Sequence, residues 1–438
     1  MAAIITGLPT AASAKDGPTY YTPERIATAR ENLEHYDWAR AAFERVKTGD
    51  GFRYYIGPEF GPAEIYAEQS DEFMWLLQPT TKIARSMEHE ARAICPVHGT
   101  DVRDISPWCP YRIDPINHPY KIQCMLGGEW YPSNDYAAGD MTSGDYPDDG
   151  SGCVIDGRRY YFLREYAHMA YGSAVIPGLR SLSQAYVITG DARYGRKGTI
   201  LLARLASEYP NHDDRTDRLF YAPFPDGRDP HYRWKTGGMI TDLIWETFCL
   251  EGAVYAYDGL FSYMDQDPEM LAFLKSKGLS IDTASDLRQY IEHYLVRAGM
   301  VGLLNGAIKG NEGHHQAAAL ACALVLDDYA TDSSPNSVDM VDYTFHGQGH
   351  AVHLLVNGLT RDGGGHESPS YNRIKLDLIR VDQAMESIRE RRPELFPVDR
   401  YPDLFGEPKA KMIFDWFVDI TMLDYYLPSI GDTGGVPE

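Results

Sequence analysis

From Thr22 to Lys47 the apolar residues Ile26, Ala29, Leu33, Tyr36, Ala39 and Ala42 recur at intervals of three and four. That spacing predicts an amphipathic helix. Thr22 can cap it, Pro23 suits its first position, and Glu24 favours its first turn. The same period predicts helical segments near 160–190, 192–208, 236–260, 285–304, 312–329, 337–359, 371–391 and 408–427. Residues 95–157 break the pattern. They are rich in Pro, Gly, Asp and Cys and predict an irregular or short-stranded insertion. Nearly everything periodic is therefore helix, joined by loops carrying Gly, Pro and Asp. The expected fold class is all-α, with consecutive helices paired as antiparallel hairpins. No fixed repeat period supports a solenoid of short identical units, whereas an irregular helical toroid fits the pattern.

Composition narrows the function. The 438 residues, 44% of them hydrophobic and 12% aromatic, can bury a large core in one large domain or two to three ordinary ones. No window offers the roughly 18 uninterrupted apolar residues of a membrane span. The 63 Asp and Glu against 41 Lys and Arg leave a net charge of −22, which argues against a nucleic-acid partner. An anionic sugar needs only a locally basic cleft, so it stays open. The 31 Tyr and 7 Trp suit a carbohydrate-handling surface and equally a large core. Residues 1–14 end in Ala12-Ser13-Ala14 ahead of polar Lys15, an A-x-A pattern that reads as a signal-peptide remnant or a disordered start. Secreted or periplasmic localisation is the expectation, with the cytoplasm as its alternative. The six cysteines are too few for a disulfide scaffold, and Cys249 and Cys322 sit in apolar helical contexts as buried thiols.

Two stretches carry chemistry. In the first, Asn311-Glu312-Gly313-His314-His315-Gln316 leads into AAALACALVL. Asn311 is a candidate N-cap, which puts both histidines in the first turn of a closely packed helix. There the helix dipole and desolvation disfavour imidazolium, so the rings can accept a proton. The plainer alternative is that they only hydrogen-bond in the core. The second stretch is Arg361-Asp362-Gly363-Gly364-Gly365-His366-Glu367-Ser368-Pro369-Ser370-Tyr371-Asn372-Arg373. Its glycines permit unusual backbone conformations, and Pro369 fixes a turn before a helix. A phosphate cradle would need a fingerprint spacing and a preceding strand, both missing.

Together these stretches resemble the heparinase II/III-like polysaccharide lyases and their alginate lyase relatives. Glu367-Ser368-Pro369-x-Tyr371 matches one family motif, and His315 precedes Tyr371 by 56 positions, close to the family spacing. The opening TPERIATARENLEHYDWAR and the segment Tyr426-Leu427-Pro428-Ser429-Ile430-Gly431-Asp432 are similar to further family segments. The resemblance implies an incomplete (α/α) toroid over 20–438 with the 95–157 insertion. Relatives usually continue into an antiparallel β-sandwich, and no alternating strands follow Asp432 here, so a domain lacking that portion is expected.

The implied activity is β-elimination at a uronic acid, leaving a 4,5-unsaturated end and requiring no cofactor. Such an enzyme must neutralise the carboxylate, remove the C5 proton and protonate the leaving oxygen. By resemblance His315 serves the carboxylate, assisted by Asn311 or His314, and Tyr371 is the acid and also a candidate base. A tyrosine, ordinarily near pKa 10, needs cations such as Arg373 or Arg361 beside it to act as a base. Glu367 and His366 are expected to position the substrate. Arg233, Trp234 and Trp245 combine cationic and aromatic groups suited to a sugar acid, with a solvated turn as the alternative. Tyr160, Tyr161, Arg164, Tyr166 and His168 form a second polar-aromatic cluster, read as cleft lining or packing. The favoured substrate is a glycosaminoglycan, then alginate.

Cys95, His98, Cys109 and Cys124 look like a degraded version of paired Cys-Pro-x-Cys-Gly knuckles found in some members, and a structural zinc is the matching expectation. Three rivals stand beside the lyase. His346, His350 and His353 on one helix suggest a metal-dependent hydrolase, though no HExxH glutamate accompanies them. Glu312 and Glu367 suggest a glycoside hydrolase carboxylate pair. A carbohydrate-binding scaffold without turnover is the third.

Overall fold

The structure is a computed structural model that describes residues 15–48, 62–78, 94–106, 110–211, 246–308, 310–330, 332–365, 368–374, 377–423 and 425–431, without the side chains of 168, 211, 370, 373 and 374. It divides into two compact units, Met1–Ala298 and Gly299–Glu438. Among the described residues no helix is long and apolar enough to cross a membrane. The structure is mainly helical, as the periodicity predicts.

In the first unit the Thr22 hydroxyl accepts from the Arg25 N–H at 3.3 Å and starts α1 (Pro23–His35). The single helix expected to Lys47 is broken at Tyr36, whose backbone is extended, and α2 (Asp37–Thr48) begins afresh. Arg40 explains the corner. Its Nη1 donates to the Leu33 and Glu34 carbonyls at 2.8 and 3.0 Å, satisfying the end of α1 from within α2. Two short helices follow, α3 (Ala63–Ala67) and α4 (Asp71–Leu76).

The insertion is short-stranded, as expected. β1 (Tyr111–Ile113), β2 (Ile122–Cys124) and β3 (Trp130–Tyr131) form an antiparallel sheet in chain order, and β4 (Cys153–Ile155) pairs with β5 (Arg158–Tyr160). The β4–β5 turn uses Asp156-Gly157, both at positive φ, which is what a tight two-residue hairpin demands. Tyr111, Ile113, Ile122, Cys124 and Tyr131 turn inward onto Phe162, Leu163 and Tyr166 of α5 (Phe162–Ala170). Tyr166 is buried against Tyr120 at a ring distance of 5.2 Å, and buried Arg164 lies over the Tyr161 ring. Arg164 and Tyr166 thus pack the core, Tyr160 and Tyr161 are half-buried, and the His168 side chain lies outside the described residues.

A π-helical turn at Tyr171–Val175 joins α5 to α6 (Ile176–Thr189), which ends at left-handed Gly190. Asp191 caps α7 (Ala192–Glu208), which folds back on α6. α8 (Glu246–Leu260) packs against both and carries buried Cys249. α9 (Pro268–Ser276) and α10 (Ala284–Ile291) follow, and a second π turn, Glu292–Arg297, leads into α11 (Ala298–Leu304).

The second unit is organised by α12 (His314–Leu326), in which His314 and every residue from Gln316 to Leu326 are buried. Its alanines allow close packing against α13 (Ser337–Phe345) and, later in the chain, α16 (Leu378–Arg391). Each fully buried leucine here contributes about 1.5–3 kcal/mol. α14 (Ala351–Asn357), α15 (Pro369–Ile374) and α17 (Pro408–Ile420) complete the described elements. The helix expected over 337–359 is interrupted between Phe345 and Ala351. Gly347 and Gly349 lie so close to the backbone of Tyr343 and Thr344 that a Cβ would collide, and the chain turns there.

Candidate functional site

The histidine pair occupies the first turn of α12, as the sequence predicts, but Asn311 is not its cap. Gly313 takes that position at φ +96, a conformation that favours glycine. Its N–H donates to Gln316 Oε1 at 2.7 Å, while Gln316 Nε2 donates to the Gly349 carbonyl at 2.6 Å and ties down the turn before α14. Asn311 contributes its carbonyl instead, which accepts from the His314 N–H at 3.0 Å.

The two imidazoles are held differently. His315 Nδ1 lies 3.1 Å from both the Gly310 and Asn311 carbonyl oxygens. Carbonyls only accept, so Nδ1 carries the hydrogen. Burial, partly offset by those two hydrogen bonds, lowers the His315 pKa from 6.5. A neutral ring protonated at Nδ1 has its lone pair on Nε2, the nitrogen of a general base. His314 is more deeply buried, and its Nε2 lies 2.5 Å from Asp377 Oδ2. Arg380 Nη2 lies 2.9 Å from the other Asp377 oxygen. Burial works to raise the Asp377 carboxyl, but His314 and Arg380 outweigh it and hold it below its ordinary value. His314 thus positions the site from behind.

The Asp377–His314 link also limits how far the second motif can lie from α12. Tyr371, on α15, precedes Asp377 by six residues, a stretch that spans at most about 20 Å. The Tyr371 N–H donates to Ser368 Oγ at 3.3 Å. Asn372, which sequence reasoning passed over, is fully buried, with Nδ2 donating to the Gly363 carbonyl at 3.2 Å. The glycines of the motif form a closed turn. Thr360 N–H donates to the Gly364 carbonyl at 2.7 Å, Gly363 has φ +93, and a side chain on Gly363 or Gly364 would strike Met412 or Trp416 of α17.

The ring edge of Tyr343 faces His315 with centroids 6.4 Å apart. Tyr343, its pKa pushed up to about 12 by burial, also lines an open cleft of about 610 Å³ with Asp339, Asp342, His346, Gln348 and Arg400. The cleft has a mixed polar and apolar lining and is large enough for a sugar unit. Its charged lining, two carboxylates against one guanidinium, is not the basic lining expected for an anionic ligand. Of the cations and aromatics proposed for that task, Arg233, Trp234 and Trp245 lie outside the described residues, as do His366, Glu367 and the Arg373 side chain.

The interrupted helix undoes the i, i+4 argument for His346 and His350. His350 adopts φ +49 at the start of α14, and His346, His350 and His353 are each exposed. Among the described residues the one group arranged to hold a metal is Cys95, His98 and Cys124 in the first unit, whose ligand atoms all lie within 4.8 Å of one another. Cys109 lies outside the described residues. The donor set, two sulfurs and an imidazole, fits zinc.

No family model matches the chain, and no curated protein or solved structure matches it. The functional reading therefore rests on the residues and their geometry.

Proposed function

We propose that the chain is a polysaccharide lyase that cleaves uronic-acid-containing polymers by β-elimination, on a helical scaffold that forms an incomplete (α/α) toroid. The observation that carries this reading is His315, held through Nδ1–H by two carbonyls, neutral, with its Nε2 lone pair available. In the proposed reaction Nε2 takes the C5 proton, the C4–O bond breaks, and the Tyr371 hydroxyl gives its proton to the leaving glycosidic oxygen. This reverses one expectation. A ring whose only N–H is already spent on the backbone cannot also donate to the substrate carboxylate, so that task falls to Asn311 and to cations such as Arg373. Tyr371, freed from the role of base, starts the reaction as the neutral phenol, and the proton gained by His315 Nε2 returns to the resulting tyrosinate, through solvent, after the product leaves.

Glycosaminoglycan is the favoured substrate class and alginate the second, and we propose an exported protein. The test is growth of ultraviolet absorbance from the 4,5-unsaturated uronide on heparan sulfate, chondroitin sulfate, hyaluronan and alginate. The expected result is a signal on one polymer that is lost in Tyr371→Phe and His315→Ala. Binding of a polymer with no signal on any of the four would replace the enzyme with a sugar-binding scaffold, and new reducing ends without ultraviolet absorbance would indicate a hydrolase.

A further inference from the structure

Residues 94–131 bring two tight backbone turns against each other. In the first, Cys95 and Gly99 exchange both backbone hydrogen bonds, at 3.0 and 2.8 Å, and Gly99 takes φ +58, so Cys95 and His98 project from one closed loop. In the second, at the end of β2, the Gly128 N–H returns to the Cys124 carbonyl at 2.9 Å, and the Leu126 and Gly127 N–H groups point at Cys124 Sγ.

The distances between the side chains are those of a coordination shell. A tetrahedral ion with Zn–S of about 2.3 Å and Zn–N of about 2.0 Å separates sulfur from nitrogen by about 3.5 Å. The Cys95 and Cys124 sulfurs lie 3.5 and 3.6 Å from His98 Nδ1. The other nitrogen, Nε2, faces Glu129 Oε1 at 3.6 Å. At that distance the carboxylate faces the ring without a direct hydrogen bond, on the side where metal sites place the outer carboxylate that orients a histidine. Glu129 Oε2 is buried and accepts no hydrogen bond among the described residues. Gly127 completes the fit, because a Cβ there would run into His98 Cε1 and the Glu129 carboxylate. The histidine ring fills the space that a second-knuckle side chain would need.

We infer that Cys95, His98 and Cys124 bind one zinc ion, with Glu129 orienting His98 from outside. Both cysteines are fully buried, and the ion that they and His98 hold keeps one position for a fourth ligand. It clamps the 95–99 loop to β2 and holds the small sheet against α5.

The test is made on the full chain, produced with zinc and purified without chelator. We expect about one zinc per chain by elemental mass spectrometry, and after exchange into cobalt a thiolate-to-cobalt charge-transfer band. Cys95→Ser and Cys124→Ser should lose both signals. Glu129→Gln should keep the ion with an affinity weaker by about 10- to 100-fold. Because the serine variants can fail to fold, the wild-type chain is also stripped with a chelator, and its melting temperature should fall and recover when zinc is restored. A folded chain without zinc whose melting temperature ignores chelator would overturn the assignment. So would zinc retained in Cys124→Ser, or a Cys95–Cys124 disulfide in the folded protein.

Discussion

His98 and His315 are both partly buried imidazoles, yet their ring nitrogens meet opposite kinds of neighbour. At His98 the outer nitrogen, Nε2, meets a carboxylate and the inner Nδ1 meets two sulfurs. At His315 the inner nitrogen, Nδ1, meets two backbone carbonyls and Nε2 keeps the lone pair. The acceptor fixes the hydrogen on one nitrogen and so decides what the other can do. In the two proposals one ring is a metal ligand and the other a base, and residue type alone does not distinguish them.

The largest expected effect separates the two roles. His315→Ala should lower kcat by about 10²- to 10⁴-fold, the usual worth of a positioned acid or base, while leaving metal content unchanged; parallel loss of metal would mean that the two regions are not independent. Gly127→Ala sharpens the other side. The added methyl should push His98 and Glu129 apart and weaken zinc by about tenfold or more, measured by competition with a chromophoric chelator, with elimination retained.

Asp377→Asn comes next. It removes the negative charge between His314 and Arg380 and should cost about 1–2 kcal/mol by denaturant unfolding, less than a fully buried pair because Asp377 is partly exposed. A smaller effect follows from pH. Burial lowers the His315 pKa from its ordinary 6.5 when folded, so the acid limb of kcat/KM should have its midpoint below pH 6.5. The unfolded chain binds the proton more readily, so this group's stabilising contribution is complete above about 6.5 and is lost as pH falls through the folded value. A rate that already halves near pH 7 would place a different base in the reaction.

Much of the helical pattern was legible because periodicity is a local signal, and segments such as 192–208 and 285–304 coincide with the structure. The corner at Tyr36 was not, because it depends on Arg40 reaching back to carbonyls of the preceding helix. The break after Phe345 had a visible cause in Gly347 and Gly349, which the spacing of the apolar residues outweighed in the reading. At the site, the adjacent histidines stood out as a motif. Asp377 did not, since a lone aspartate 63 positions after His314 has no pattern to betray it. Glu129 and Asn372 were hidden for the same reason. Their meaning lies in what folding places beside them.

The claim on which both assignments stand is the tautomer, and long-range ¹H–¹⁵N correlation of the histidine rings at neutral pH tests it directly. The account predicts a neutral His315 with its hydrogen on Nδ1, and a His98 with its hydrogen on Nε2 and Nδ1 shifted by the metal. A His315 carrying its hydrogen on Nε2, or fully protonated at pH 7, would contradict it.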